Sequence, residues 1–274
     1  MKYALCNELF EGAPLREICR IAQALGYDGL EIAPFTLAPY AHQITAGQRA
    51  EARTIIAEYG LETVGLHWLL VGPDGLHMTS PDRGVWEKTR DYFRQLIVLC
   101  HDLSGRVLVI GSPKQRNLID GQTHDGAWHR AVELFTSVLD EAEAAGVTLC
   151  LEPLSTAETD FINSVEEGMK MVRRIEHPCF KIHLDVKAMF AEGRPVAEII
   201  RSVRADDVGH FHVNDPNLYG PGMGALDYAP ILAAIDEIGW DRWLSVEVFR
   251  FDPGGEAIAR RSIEYLKSFQ ESVE

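Results

Sequence analysis

The fold of this chain is decided by one stretch, Val147-Thr-Leu-Cys-Leu-Glu-Pro-Leu154. It is an apolar run of strand-forming residues that stops on an acid followed by proline. A strand of a parallel sheet is covered on both faces, so its sequence is almost continuously apolar instead of alternating. The stretch therefore predicts a buried parallel strand, with Glu152 at its carboxyl end.

Three later segments repeat this design, each with a polar residue near the C-terminal end. They are Phe180-Lys-Ile-His-Leu-Asp185, Val208-Gly-His-Phe-His-Val-Asn-Asp215 and Trp243-Leu-Ser-Val-Glu-Val-Phe249. One polar residue near the end of each of the four segments is a candidate metal ligand: Glu152, Asp185, His212 and Glu247. Three carboxylates and one imidazole are an oxygen-dominated ligand set, which suits Mn²⁺ or Mg²⁺ better than structural zinc. The sequence therefore predicts one divalent-metal site at the carboxyl ends of these strands.

The rest of the chain alternates apolar strand segments with segments of helical periodicity. We count eight strands and eight helices, one of them over residues 126–145, and several helices are followed by glycine as a C-cap. No change of composition marks a linker. Eight βα units in 274 residues predict a single (β/α)₈ TIM-barrel domain of the α/β class over residues 1–274. The alternative, an open doubly wound sheet, usually has a glycine fingerprint after its first strand, and the segment after Cys6 has none.

The composition limits the classes of partner. A formal net charge of −15 opposes binding to nucleic acid, because phosphate contacts need clustered lysine and arginine. No apolar run reaches the ~18–20 residues of a membrane span, and residues 1–8 lack the apolar core of a signal peptide. The five cysteines are scattered, as expected for free thiols in a reducing compartment. We therefore expect a cytoplasmic protein with no nucleic-acid or membrane partner, and a homo-oligomer is compatible with the sequence.

Five motifs resemble the xylose isomerase-like TIM-barrel superfamily of sugar and sugar-phosphate isomerases and epimerases. They are Leu151-Glu-Pro-Leu154, His183-Leu-Asp-Val-Lys-Ala-Met189, His210-Phe-His-Val-Asn-Asp215, Gly220-Pro-Gly-Met-Gly-Ala-Leu-Asp227 and Ser245-Val-Glu-Val248. The resemblance covers essentially the whole chain and implies the same four metal ligands, Glu152, Asp185, His212 and Glu247. It also implies that Glu152 and Glu247 are catalytic and exchange protons on opposite faces of the substrate carbon.

Four further residues are candidate substrate contacts. His67 and Trp68 end the third strand, where an imidazole and an indole suit hydrogen bonding to a sugar and stacking on it. Glu158 lies just after strand five, where members of the superfamily often carry a substrate contact. Lys187, two residues after Asp185, places a positive charge nearby.

Two positions differ from the pattern of the ketose 3-epimerases in this superfamily. Ketose 3-epimerases typically carry a histidine where this chain has Ala188 and an arginine where it has Leu218. Two sugar contacts of those enzymes are therefore missing, so the resemblance supports the metal site more strongly than the epimerase chemistry. Glu31, at the end of strand two, and His210, one layer below His212, are candidates for supporting the site from behind.

The expected function is that of a divalent-metal-dependent isomerase or epimerase acting on a small keto-sugar, sugar acid or sugar phosphate. A glutamate would abstract the proton next to a metal-bound carbonyl, through an ene-diolate. A metal-dependent lyase, a decarboxylase or dehydratase of an oxidised sugar or cyclitol, would use the same enolate and is the leading alternative. An AP endonuclease would need extra histidines on the early strands, and its DNA substrate is opposed by the acidic charge. A sugar-binding module without catalysis would not need four intact ligands.

Overall fold

A computed structural model of the chain describes residues 1–269, in which eight parallel strands close into a barrel. In chain order they are β1 (Lys2–Cys6), β2 (Gly29–Ile32), β3 (Glu62–Leu66), β4 (Val107–Ile110), β5 (Thr148–Leu151), β6 (Phe180–Asp185), β7 (Val208–Val213) and β8 (Trp243–Val246). Each strand pairs in parallel with the next, and β8 pairs with β1. The predicted (β/α)₈ barrel is confirmed. Residues 270–274 of the predicted domain lie outside the described residues.

Ten α-helices connect the strands within the described part of the chain. They are α1 (Leu15–Leu25), α2 (Ala46–Glu58), α3 (Arg83–Asp102), α4 (His124–Thr136), α5 (Leu139–Ala145), α6 (Val165–Ile175), α7 (Val186–Ala191), α8 (Val196–Arg201), α9 (Ala229–Glu237) and α10 (Gly255–Ser268). The structure thus contains two more helices than the eight that the sequence predicted.

Both additional helices have a local cause. The helix predicted over residues 126–145 is interrupted between α4 and α5, where the hydroxyl of Ser137 donates to the carbonyl of Leu134 at 2.6 Å. A serine that bonds back to its own helix weakens the continuing hydrogen-bond ladder. Helix α7 was not predicted because its N-cap is Asp185, which the sequence suggested only as a metal ligand.

The core occupies the space between the strands and the helices, and the two faces of a strand serve different parts of the molecule. Leu108 and Ile110 of β4 belong to the large core that the helices cover. Val107 and Val109, which alternate with them, form a small separate cluster with Cys150. Alternation along β5 puts Cys150 on the same face as Glu152, so this small cluster lies below the residues at the barrel mouth.

Two further findings concern membrane-spanning helices and the cysteines. Within residues 1–269, no helix combines the length and the apolarity needed to cross a membrane. The five cysteines are all unpaired, and four of them are buried.

Candidate metal centre and substrate cavity

The four predicted ligands meet at the carboxyl end of the barrel. Glu152 and Glu247 lie one residue beyond β5 and β8, Asp185 ends β6, and His212 is the next-to-last residue of β7. The pairing of β6 with β7 places Asp185 directly beside His212. One ligand atom from each of the four lies within 4.8 Å of the others, and all four side chains are buried. We call these four residues the mouth cluster, and their geometry could hold one metal ion.

Charge repulsion inside the mouth cluster favours a cation. Burial, together with the nearby Glu247 and Asp185, raises the pKa of Glu152 well above its usual range. Burial also raises the pKa of Asp185, where Lys187 opposes the effect and Glu247 adds to it. A divalent ion among three buried carboxylates would remove this repulsion, and oxygens with one imidazole nitrogen are donors that Mn²⁺ and Mg²⁺ accept. The residues therefore fit such an ion.

Asp185 is held in one orientation by its neighbours. Its Oδ1 accepts from the backbone N–H of Ala188 at 2.7 Å and so caps α7, while its Oδ2 accepts from Nδ2 of Asn214 at 2.6 Å. Asn214 in turn accepts from the backbone N–H of Lys187 at 2.8 Å through Oδ1. Bonds of this kind behind a ligand fix its direction and are a common property of metal sites.

Behind the mouth cluster lies an acid–histidine network, formed by Glu8, Glu31, His67 and His210. Glu31 is fully buried, with Oε1 3.0 Å from Nε2 of His212 and Oε2 2.8 Å from Nε2 of His210. Burial opposes its ionisation, but His212 and His210 outweigh burial and hold the pKa of Glu31 well below its usual range. Nδ1 of His212 faces Glu247 at 3.0 Å. Glu31 is therefore placed to set the ring orientation of the candidate ligand His212.

His67 belongs to this network instead of projecting freely into the mouth. Its Nε2 is 2.6 Å from Oε2 of Glu8, and its Nδ1 is 3.6 Å from Oε1 of Glu31. Burial lowers the pKa of His67, but Cys6 and Glu8 overcome this effect and raise it well above its usual value. Because both ring nitrogens face acids, its suggested contact with substrate stays a prediction.

Trp68 forms an aromatic wall beside the mouth cluster. It has a φ of 49°, in the left-handed region that non-glycine residues rarely adopt, and such backbone strain concentrates at functional sites. Its indole N–H donates to Oε1 of Glu247 at 2.8 Å. The ring stacks on Phe249 with centroids 6.2 Å apart and on Phe35 at 5.8 Å. The residue predicted to stack on sugar thus also holds one glutamate of the cluster.

Lys187 and Glu158, two of the predicted substrate contacts, form an ion pair with each other. Nζ of Lys187 lies 2.7 Å from Oε1 of Glu158 and 4.0 Å from the centre of the Phe249 ring. Burial opposes the charge on Lys187, but Asp185 and Glu158 raise its pKa above the usual value. The pair keeps a positive and a negative group together at this side of the mouth.

Arg116 is a buried cation that the sequence analysis missed. It is 1% exposed, and its Nη1 donates to the main-chain carbonyl of Glu152 at 2.7 Å. Its Nε and Nη2 have no hydrogen-bond partner among the described residues. Burial lowers the pKa of Arg116 to about 10, although Glu152 and Glu158 oppose this shift. Arg116 thus connects the segment after β4 to the backbone of Glu152, which directly follows β5.

A cavity of about 470 Å³, which we call the first cavity, opens above the mouth cluster. Loops after β3, β4, β5 and β8 line it, and Glu152, Glu247, Trp68, Glu158 and Phe249 all contribute side chains to its wall. Clefts of this size with a few converging polar groups are typical of small-molecule sites.

The sequence profile of the xylose isomerase-like TIM barrel family matches residues 19–269. The chain belongs to this family. One relative is D-psicose 3-epimerase of Ruminiclostridium cellulolyticum, 29% identical over 253 residues that cover 90% of this chain and 82% of that protein. Another is fructoselysine 3-epimerase of Shigella flexneri, 21% identical over 240 residues that cover 86% of this chain and 85% of that protein.

Solved structures of the xylose isomerase-like family share the barrel. A crystal structure of D-psicose 3-epimerase with D-tagatose, from Clostridium cellulolyticum H10, superposes with a TM-score of 0.85 at 24% identity over 100% of both chains. The likeness extends over the full barrel and its loops, which agrees with the closed eight-stranded sheet described above.

Two members of the site, Glu8 and Arg116, escaped the sequence analysis because neither lies at a strand end. Glu8 is in a short 3₁₀ helix after β1, and Arg116 directly follows another after β4. Glu8 follows β1 by two residues, and Arg116 follows β4 by six. The mouth of such a barrel is built from the loops after its strands. Charged residues a few positions beyond each strand end would therefore have been the useful signal.

Proposed function

We propose that this protein is a divalent-metal-dependent epimerase or isomerase of a small keto-sugar, built as a single barrel domain over residues 1–274. The observation that carries the proposal is the mouth cluster, whose ligand atoms lie within 4.8 Å of one another under a cavity of about 470 Å³. The curated relatives support it, since they are named as 3-epimerases of D-psicose and of fructoselysine.

Glu152 and Glu247 are the proposed acid and base. They enter from β5 and β8, and both line the first cavity, so a substrate carbon bound there can have one carboxylate on each side. One removes the proton beside the carbonyl and the other returns a proton to the opposite face, which inverts that carbon. The indole N–H of Trp68 donates to Oε1 of Glu247 at 2.8 Å, which holds the carboxylate in one direction. Since Glu31 engages Nε2 of His212, Nδ1, which lies 3.0 Å from Oε2 of Glu247, is the ring nitrogen left for the ion.

The proposed ligands of the ion, Mn²⁺ or Mg²⁺, are the residues of the mouth cluster. When bound, the ion would supply Lewis-acid stabilisation of the negative charge that develops on the substrate oxygens. Glu31 would support this site by orienting His212, and Asn214 would do so by orienting Asp185.

The proposed substrate contacts are Trp68, Glu158 and Lys187, with His67 at the edge of the cavity. Among the described residues that line the first cavity, Lys114 is the one lysine or arginine, whereas Glu152, Glu158 and Glu247 are acidic. A phosphate ester would meet three carboxylates, the exposed Lys114, and Lys187, whose charge is already paired with Glu158 at 2.7 Å. We therefore propose an unphosphorylated sugar.

Solvent exchange tests the proposal. The Mn²⁺-loaded protein is incubated in D₂O with D-fructose, D-psicose, D-tagatose and L-ribulose, and the products are read by NMR. We expect deuterium at the carbon next to the carbonyl, together with the epimer, and neither after metal removal. Loss of CO₂ or water from oxidised sugars in a parallel panel would instead assign the lyase alternative. No exchange with either Mn²⁺ or Mg²⁺ on any ketose would contradict the proposal.

A further inference from the structure

A second cavity, of about 430 Å³, opens at the same mouth on the other side of Trp68. Loops after β1, β2 and β8 form its walls, whose side chains include Glu8, Phe10, Ala13, Phe35, Leu37 and Phe251. Trp68 lines both cavities and is the residue that their described linings share. The proposed chemistry uses the first cavity alone and leaves this second space without a role.

The two cavities share one aromatic row. Trp68 stacks between Phe249, which lines the first cavity, and Phe35, which lines the second. Aromatic faces pack well on the C–H faces of sugar rings, as they do on other flat apolar surfaces. A ligand that spans both cavities therefore has an aromatic side chain beside it in each, with Trp68 lining both.

The charged groups of the second cavity, Glu8 and Glu11, are hydrogen-bond acceptors. Glu8 is 4% exposed, its Oε2 is engaged with His67 at 2.6 Å, and its Oε1 has no partner among the described residues. A buried carboxylate oxygen without a donor is costly unless something supplies one. Glu8 and Glu11 are acidic and the described lining contains no lysine or arginine. Because Glu8 is already paired with His67, the cavity suits neutral groups that donate hydrogen bonds, and its acidic lining opposes phosphate or carboxylate groups.

We propose that the second cavity is a subsite for a second, neutral, hydroxyl-bearing unit of the substrate. The substrate is then a keto-sugar joined to another sugar-like unit, with the keto-sugar in the first cavity and the attached unit beyond Trp68. This inference rests on the proposed function for the reacting half of the substrate. It adds the chemical class of the other half, which the mouth cluster does not determine.

Binding decides the proposal independently of turnover. Isothermal titration calorimetry on the Mn²⁺-loaded protein compares D-fructose with two disaccharides that contain a fructose unit, lactulose and isomaltulose. We expect at least one disaccharide to bind about tenfold or more tightly than D-fructose, equivalent to ~1.4 kcal/mol. Fructosyl-lysine serves as the probe for a cationic extension in place of a neutral one.

Variants that fill the second cavity test whether it binds the attached unit, and a variant elsewhere on the surface is their control. Ala13→Trp and Leu37→Trp each add an indole to its wall and leave the first cavity unchanged. Both should remove the preference for the disaccharide, while affinity for D-fructose stays within about twofold. Ala205→Trp places the same ring in a surface depression beside the start of β7, at the opposite end of the barrel, and should change neither affinity.

The outcomes separate this proposal from the proposed function, because deuterium exchange is followed in the same samples. Preferential disaccharide binding without exchange would support the subsite and contradict the epimerase. Exchange on D-fructose with equal or weaker disaccharide binding would overturn the subsite alone. Tighter binding of fructosyl-lysine than of either disaccharide would overturn the neutral class, and so would a disaccharide preference that survives both Ala13→Trp and Leu37→Trp.

Discussion

The mouth of this barrel contains two buried glutamates whose surroundings act in opposite directions. Glu152, on the β5–β8 side, lies among other carboxylates, and its pKa is raised well above the usual range by burial and by Glu247 and Asp185. Glu31, on the β1–β3 side, is equally enclosed, but His212 and His210 hold its pKa well below that range. Glu152 thus adds to a negative charge that a cation can neutralise, whereas Glu31 already faces two imidazoles, those of His210 and His212 from β7.

This difference separates two roles for the same residue type. Carboxylates on the β5–β8 side would bind an ion and exchange protons, whereas those on the β1–β3 side would orient what binds it. Changes on the first side should therefore abolish function, and changes on the second should weaken it by degrees.

The largest effect is expected for Asp185→Ala. Loss of this carboxylate should remove the metal, and activity should fall by more than the ~10–100-fold typical of changes behind the ligands. Asp185 also caps α7, so we expect a loss of ~0.5–2 kcal/mol in the free energy of unfolding. Elemental analysis and denaturant melts measure the two effects. Wild-type metal content in this variant would remove Asp185 from the ligand set.

The second-largest loss of activity is expected for Glu247→Gln. Glutamine keeps the shape of the side chain but cannot accept the proton. Removal of a general base typically costs ~10²–10⁴-fold in rate. Since Glu247 is also a proposed ligand, kcat is compared at equal bound metal, measured in the same preparation. A fully metallated Glu247→Gln protein with near-normal turnover would assign the base role to another group.

Glu31→Gln tests the supporting side. The substitution keeps the size of the side chain and removes the charge that faces His212 and His210, so metal affinity should fall by ~10–100-fold. A Mn²⁺ titration followed by EPR measures this change. The matched control, Glu62→Gln, alters an exposed acid paired with Lys2 and should leave the affinity within about twofold. Equal affinities in the two variants would abolish the distinction between the two sides.

The smallest effect is expected for Trp68→Phe. Phenylalanine keeps an aromatic ring between Phe35 and Phe249 and removes the N–H that donates to Glu247. A hydrogen bond to a charged group contributes ~1.5–3 kcal/mol, and because Glu247 lines a cavity that water can enter, we expect the lower end of that range and a fall of about tenfold in kcat/KM. Steady-state kinetics with bound metal at the wild-type level measures it. A loss comparable to that of Glu247→Gln would place Trp68 within the reacting groups.

The two sides also differed in how far the sequence predicted them. On the β5–β8 side, strand period and strand ends were sufficient, since the ends of parallel strands meet at one edge and Asp185 and His212 fall in register. On the β1–β3 side, the sequence suggested Glu31 as a supporting residue, and it suggested His210 of β7 as another, but their contact across 179 positions of the chain is encoded by no spacing. Glu8 and Arg116 were missed because neither lies at a strand end and each contacts a residue far away in the chain, His67 and Glu152 respectively.

The pairing of β8 with β1 has a consequence for assembly. A sheet that closes on itself offers no row of unpaired backbone N–H and C=O groups to a passing strand. Another chain therefore cannot extend this sheet by strand addition, which is the route to many aggregates and swapped dimers. Any association between copies through the described part of the molecule has to be made by side chains on its helices and loops.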